Sequence, residues 1–120
     1  MSSIKKHTIS LRNAFGGVVY TFKTQPNFKI HTLAAIIAIC ASFFFNISPV
    51  EKLVIVFTIS LVLIAEMINT SIESVVDLLT DKYHHKAKIA KDVSAGMVLL
   101  SATASVLVAI IIFGKYIFNI

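Results

Sequence analysis

Between Leu53 and Thr80 the chain reads LVIVFTISLVLIAEMINTSIESVVDLLT, a stretch that few folds can accommodate. Its first half, Leu53 to Ala65, carries no charge and reads as helix suited to lipid. The second half keeps the helical pattern while acquiring acids: Glu66, Asn69, Glu73 and Asp77 stand at i, i+3, i+7 and i+11. At about 100° per residue, Glu66, Glu73 and Asp77 fall within roughly 40° of one another, with Asn69 about 60° to the side. The remaining faces, bearing Met67, Ile68, Ile72, Val75, Leu78 and Leu79, stay apolar. An ionisable side chain at membrane depth costs about 2.5–3.5 kcal/mol on insertion scales, so carboxylates aligned on such a helix point to function rather than packing.

The rest of the chain agrees with a membrane setting. Of 120 residues, 57% are hydrophobic and only 14% charged, with a mean hydropathy of +0.86. These values fit one all-α, multi-pass membrane domain over residues 1–120 and exclude an ordinary soluble globule. The first 28 residues lack a continuous apolar core of signal-peptide type, so the first span is expected to act as its own insertion signal. The net charge of +5 does not read as a nucleic-acid footprint. Lys5, Lys6, Arg12, Lys23 and Lys29 precede the first apolar run, and Lys82, Lys86, Lys88 and Lys91 lie between the second and third. That asymmetry places the N-terminus and the 81–91 connection in the cytoplasm and the C-terminus outside. Cys40, alone in an apolar run, reads as a structural thiol within the membrane.

Residues 1–8 are polar and expected to fray. From residue 9 to 24, Leu11, Phe15, Val18, Val19 and Phe22 recur with helical period among polar residues, as in a helix lying in the membrane interface. Pro26 ends it. Helices containing the spans are expected at 29–47, 50–80 and 88–118. Small residues from Ser94 to Ser105 read as close helix packing. His84 and His85 are adjacent, so their side chains diverge by about 100° on a helix and share no metal.

If the second span enters the bilayer at Leu53, Glu66 lies about 20 Å in, within the inner half of a core about 30 Å thick. Glu73 then lies near the interface and Asp77 among the headgroups, level with Lys91 and Asp92. One carboxylate stands where a lipid hydroxyl would sit, and carboxylates with lysines stand where a phosphate ester would sit. Phosphoryl transfer needs that combination of positioning, charge neutralisation and a proton acceptor. No Gly-rich phosphate loop is present. Two other classes compete: a proton- or cation-coupled transporter with Glu66 as its carrier acid, and a structural assembly protein held by its third span. A carrier has no need of acids continuing to Asp77 beside a basic loop, and an assembly role leaves the stripe unexplained.

Ala65-Glu66-Met67-Ile68-Asn69-Thr70-Ser71-Ile72-Glu73-Ser74-Val75-Val76-Asp77 resembles the E-x-x-N-[TS]-[AS]-I-E-x-x-V-D signature of the small prokaryotic diacylglycerol kinases, a family that includes undecaprenol kinases. Tyr83-His84 and Ala87-Lys88-Ile89-Ala90-Lys91-Asp92 are similar to its following elements, and Asn27-Phe28-Lys29-Ile30-His31 to one of its undecaprenol branch. The resemblance implies a homotrimer in a bacterial inner (cytoplasmic) membrane, with active sites formed between protomers. It implies ATP, Mg²⁺ and a membrane lipid alcohol, undecaprenol being favoured over diacylglycerol. Glu66 would be the catalytic base, with Asn69 positioning it or the substrate. Glu73 would bind the metal–ATP complex, supported by Asp77. Lys82, Tyr83, His84, Lys91 and Asp92 would contact or order the nucleotide, and Phe15, Phe28, Lys29 and Glu66 the lipid. Gln25 departs from the pattern, standing where the family commonly has a second metal-binding Glu. An amide oxygen can ligate Mg²⁺ but adds no charge.

Overall fold

The computed structural model describes residues 2–119, and every regular element among them is α-helix: α1 (Ser3–Thr24), α2 (Pro26–Phe44), α3 (Pro49–Leu79) and α4 (His85–Phe118). The boundaries follow from caps. Ser2 accepts a hydrogen bond from the Lys5 backbone N–H at 3.2 Å, so α1 begins at Ser3 and residues 3–8, expected to fray, are helical; residue 1 lies outside the described residues. Extended Gln25 ends it, as the residue before a proline must avoid the helical region. Pro26 and Pro49 each stand in the first turn of a helix, where a missing N–H costs nothing. That is why α2 starts three residues before the apolar run suggests. Ser48 and Glu51 form a reciprocal capping box on α3, with bonds of 3.1 and 3.2 Å. The tight turn before it uses Asn46 in the left-handed region, φ 48°. His84 caps α4, its Nδ1 accepting from the Lys86 N–H at 3.2 Å, so α4 starts at His85 rather than 88.

Three helices, α2, α3 and α4, are long and apolar enough to cross a membrane. At 1.5 Å per residue, α3 extends roughly 46 Å, well beyond a hydrocarbon core of about 30 Å, and so carries its acidic end out of the lipid. Within the bundle α3 is central. It packs most extensively on α4 and less on α2, while α1 touches α2 and α3. The result is a slab of 53 × 45 × 21 Å, about two helices thick. Buried positions recur every seven residues in each span: Phe28, Ala35 and Ser42 in α2; Ile55, Val62, Asn69 and Val76 in α3; Ser94 and Ser101 in α4. A seven-residue repeat is the mark of helices crossing at a shallow angle with interdigitated side chains. Outside these stripes large apolar side chains point away from the bundle, among them Phe44, Leu78 and Leu100, each more than 70% exposed. Such a surface suits lipid or other protein, not water. Cys40 lies on this outward surface rather than inside the bundle.

The end of the bundle remote from the α3–α4 connection is pinned by a clasp. Ile47, Ile55 and Ile112 form its core, flanked by Phe45, Phe113 and Tyr116. Above them the Tyr116 hydroxyl donates to Glu51 Oε1 at 2.6 Å and Lys115 Nζ lies 2.7 Å from Oε2. Glu51 stands outside the charge-free run that opens at Leu53. The Lys115 hydrogen bond, then the Tyr116 one, lower its carboxyl from the ordinary range to about 2.

Candidate active site

The acidic face of α3 is graded from dry to wet. Glu66 is 2% exposed and its Oε2 atom has no hydrogen-bond partner among the described residues. Asn69, one turn on, is also buried. Glu73 is half-buried and Asp77 exposed. The α3–α4 connection returns the chain antiparallel, setting the start of α4 against this face. Ser94, wholly buried, donates to Asn69 Oδ1 at 2.7 Å. Asn69 Nδ2 in turn donates to Glu73 Oε1 at 3.2 Å. Lys91 Nζ donates to Asp77 Oδ1 at 2.6 Å. Lys91 precedes the charge-free part of α4, and the Asp77 hydrogen bond holds its ammonium above the usual lysine range. Both side chains are solvated, so this pair orients Lys91 more than it stabilises the fold.

Beyond Asp77 the end of α3, the connection and the start of α4 enclose an open polar cleft of about 320 Å³. Asp77, Lys82, Tyr83, His84, Lys91 and Asp92 all line it. Thr80, Asp81 and Lys88, to which the sequence motif assigns no role, line it too. Thr80 shapes the connection: its hydroxyl donates to the Lys82 carbonyl at 3.1 Å and accepts from the Lys82 N–H at 3.2 Å. With Lys88, which pairs with Asp92, the cleft gathers three ammonium groups and three carboxylates, Asp77, Asp81 and Asp92, a mixed setting suited to phosphate that arrives with a cation. Glu73 sits just above it, with Oε1 held by Asn69. Magnesium takes one or two protein carboxylates with phosphate oxygens and water, and Glu73 with Asp77 fits that need. Among the described residues no three His, Cys, Asp or Glu side chains cluster to hold an ion by themselves.

Other singled-out residues lie apart from the cleft. Gln25 is half-buried at the α1–α2 junction, where its backbone N–H donates to Thr21 O at 2.9 Å. Phe28 is 4% exposed, edge-on to Phe22 with ring centroids 6.4 Å apart. Lys29 places its ammonium 5.9 Å from the Phe22 ring centroid, and Phe15 stands open on α1. A second, apolar cavity of about 180 Å³ lies between α2, α3 and α4, with His31 among its walls.

A family model for prokaryotic diacylglycerol kinase matches residues 12–113. A diacylglycerol kinase of Synechocystis is 46% identical over 101 residues, 83% of this chain and 58% of that protein. An undecaprenol kinase of Bacillus subtilis is 38% identical over 104 residues, 87% of this chain and 85% of that one. A diacylglycerol kinase of Escherichia coli is 26% identical over 83 residues, 69% of this chain and 68% of that one. The chain thus spans a little over half the length of the Synechocystis relative. The family match takes in the acidic face of α3, the whole α3–α4 connection and most of α4. On that match and those identities, this membrane protein belongs to the prokaryotic diacylglycerol kinase family.

Proposed function

We propose that this chain transfers the γ-phosphoryl group of ATP to the hydroxyl of a membrane lipid alcohol. The observation that carries the reading is the grading of one helix face, from a dry carboxyl at Glu66 to a lysine-lined cleft beyond Asp77. A lipid alcohol reaches Glu66 from the bilayer, and a water-soluble nucleotide reaches the cleft from the aqueous side. Glu66 accepts the hydroxyl proton as the alcohol oxygen bonds to the γ-phosphorus and the bond to the ADP oxygen breaks. Glu73, steadied by Asn69, and Asp77 hold the metal–nucleotide. Bound Mg²⁺ supplies charge neutralisation on the phosphates. Lys91, oriented by Asp77, and Lys82 contact phosphate, while Tyr83, His84 and Asp92 order the nucleotide. Phe15, Phe28 and Lys29 line the lipid's approach.

The lysine-rich N-terminus and connection support a cytoplasmic placement of the cleft in the bacterial inner membrane, with α1 in the interface. The outward apolar surfaces support a homotrimer that completes each site between protomers. The Asn27–His31 element and the similarity to an undecaprenol kinase favour undecaprenol as acceptor.

The test is radiolabel transfer from γ-labelled ATP in detergent micelles supplied with undecaprenol or diacylglycerol. Labelled undecaprenyl monophosphate is the expected product, with Glu66→Gln losing about 10²–10⁴-fold of turnover while remaining folded. Transfer to diacylglycerol alone overturns the lipid assignment. Near-normal turnover in Glu66→Gln overturns the base.

A further inference from the structure

We propose that Ser94 is a positioning residue for the nucleotide site. Acting through Asn69, it fixes Glu73 so that Oε1 is held and Oε2 is left free for the metal–phosphate. The inference rests on Glu73 holding the metal–nucleotide.

The buried hydroxyls of this bundle behave alike except for this one. Thr21, Ser42, Thr70 and Ser101 each donate back to a carbonyl three or four residues earlier on their own helix. Ser94, the most deeply buried, forgoes its own-helix carbonyl at Ala90 and crosses to α3, where its Oγ lies 2.7 Å from Asn69 Oδ1. The polarity of the chain of bonds is set by its far end. Asn69 turns its NH₂ toward Glu73, whose Oε1 accepts at 3.2 Å. Its Oδ1 then faces α4 and needs a donor, which Ser94 supplies. Each bond therefore dictates the direction of the next.

Removing the hydroxyl leaves Asn69 Oδ1 without a donor in a seam that excludes water. The amide cannot flip to compensate, because that would turn its oxygen against the Glu73 carboxyl, so the unsatisfied buried oxygen draws the side chain to other rotamers in which the Nδ2 bond to Glu73 is lost. Glu73 loses its partner and its single rotamer.

The experiment measures equilibrium binding of a fluorescent ATP analogue with Mg²⁺ in micelles for wild type, Ser94→Ala, Ser94→Cys, Glu73→Gln and Ser94→Ala/Glu73→Gln. Thermal melting of each confirms the fold. Ser94→Ala is expected to raise Kd roughly tenfold, the loss of one hydrogen bond near a charged group. Ser94→Cys keeps the volume with a poor donor and should match it, and it decides the matter where Ser94→Ala does not fold. In the Glu73→Gln background the further effect of Ser94→Ala should be under twofold, because Ser94 acts only through Glu73. Wild-type affinity in Ser94→Ala or Ser94→Cys overturns the proposal. A full tenfold effect in the double variant, which marks a merely structural role, does the same. If Glu73→Gln alone binds as wild type, the role of Glu73 fails first and the inference falls with it.

Discussion

Glu66→Met sets stability against activity at one position. Methionine matches glutamate in length and branching and fills irregular apolar gaps. Glu66 is 2% exposed, and Oε2 has no partner among the described residues. A buried polar group left unsatisfied costs about 1–3 kcal/mol, and the substitution removes that cost while keeping the volume. For a chain of 120 residues, about 4 °C of melting temperature accompanies each kcal/mol, so the variant should melt roughly 4–12 °C higher. Its turnover should fall by about 10²–10⁴, the usual worth of a positioned proton acceptor. The assay pairs a thermal melt in detergent, followed by intrinsic tyrosine fluorescence or circular dichroism, with phosphoryl transfer at saturating ATP and lipid. A variant that melts lower than wild type would show that the carboxyl is satisfied and serves the fold. A variant that keeps turnover would remove Glu66 from the chemistry. Either result refutes the reasoning, since an uncompensated buried carboxyl is retained only where it performs a function.

Three further outcomes follow from the same geometry. Lys91→Met should weaken Mg·ATP binding about 10–100-fold, as for loss of a charge-assisted bond to phosphate, while shifting the melting temperature by only a few degrees because the Asp77 pair is solvated; nucleotide titration and a melt check both. Gln25 lies apart from this chain's own cleft, so Gln25→Glu should leave the Mg²⁺ concentration for half-maximal turnover within about twofold of wild type, and a several-fold drop in a magnesium titration at fixed ATP would bring residue 25 to the metal of a neighbouring protomer. At the remote clasp, the Glu51 carboxyl is lowered to about 2 from an ordinary 4.5, so its stabilisation is fully present above pH 4.5 and is lost as pH falls toward 2. The melting temperature of wild type should therefore drop over that interval, and that of Glu51→Gln, lower at pH 7, should lack this component of the drop.

Much of this molecule is visible in one dimension because lipid imposes one-dimensional rules. A helix in hydrocarbon must be long and uncharged, and a 3.6-residue period places Glu66, Glu73 and Asp77 on one face whatever lies opposite. The spans, the acidic stripe and the family signature at 65–77 were therefore legible from residue order alone. Helix starts were less so. Ser2, Pro26 and His84 extend α1, α2 and α4 toward their N-termini through cap bonds and proline geometry that hydropathy does not register.

What lies opposite the stripe could not be read that way. Ser94 stood among many small residues of the third span, with nothing local to separate it from packing. Its importance arises because the short α3–α4 connection sets the register of two antiparallel helices, bringing it to Asn69 from 25 residues away. Depth along α3 already graded the stripe in the sequence; packing adds that Glu66 is buried inside the bundle while Asp77 stays exposed. Glu51 meets Tyr116 across 65 residues for the same reason. Residue order limits which groups a helix can present on one side, but the interlocking of neighbouring helices decides which of those groups stay dry, which find partners and which face the solvent.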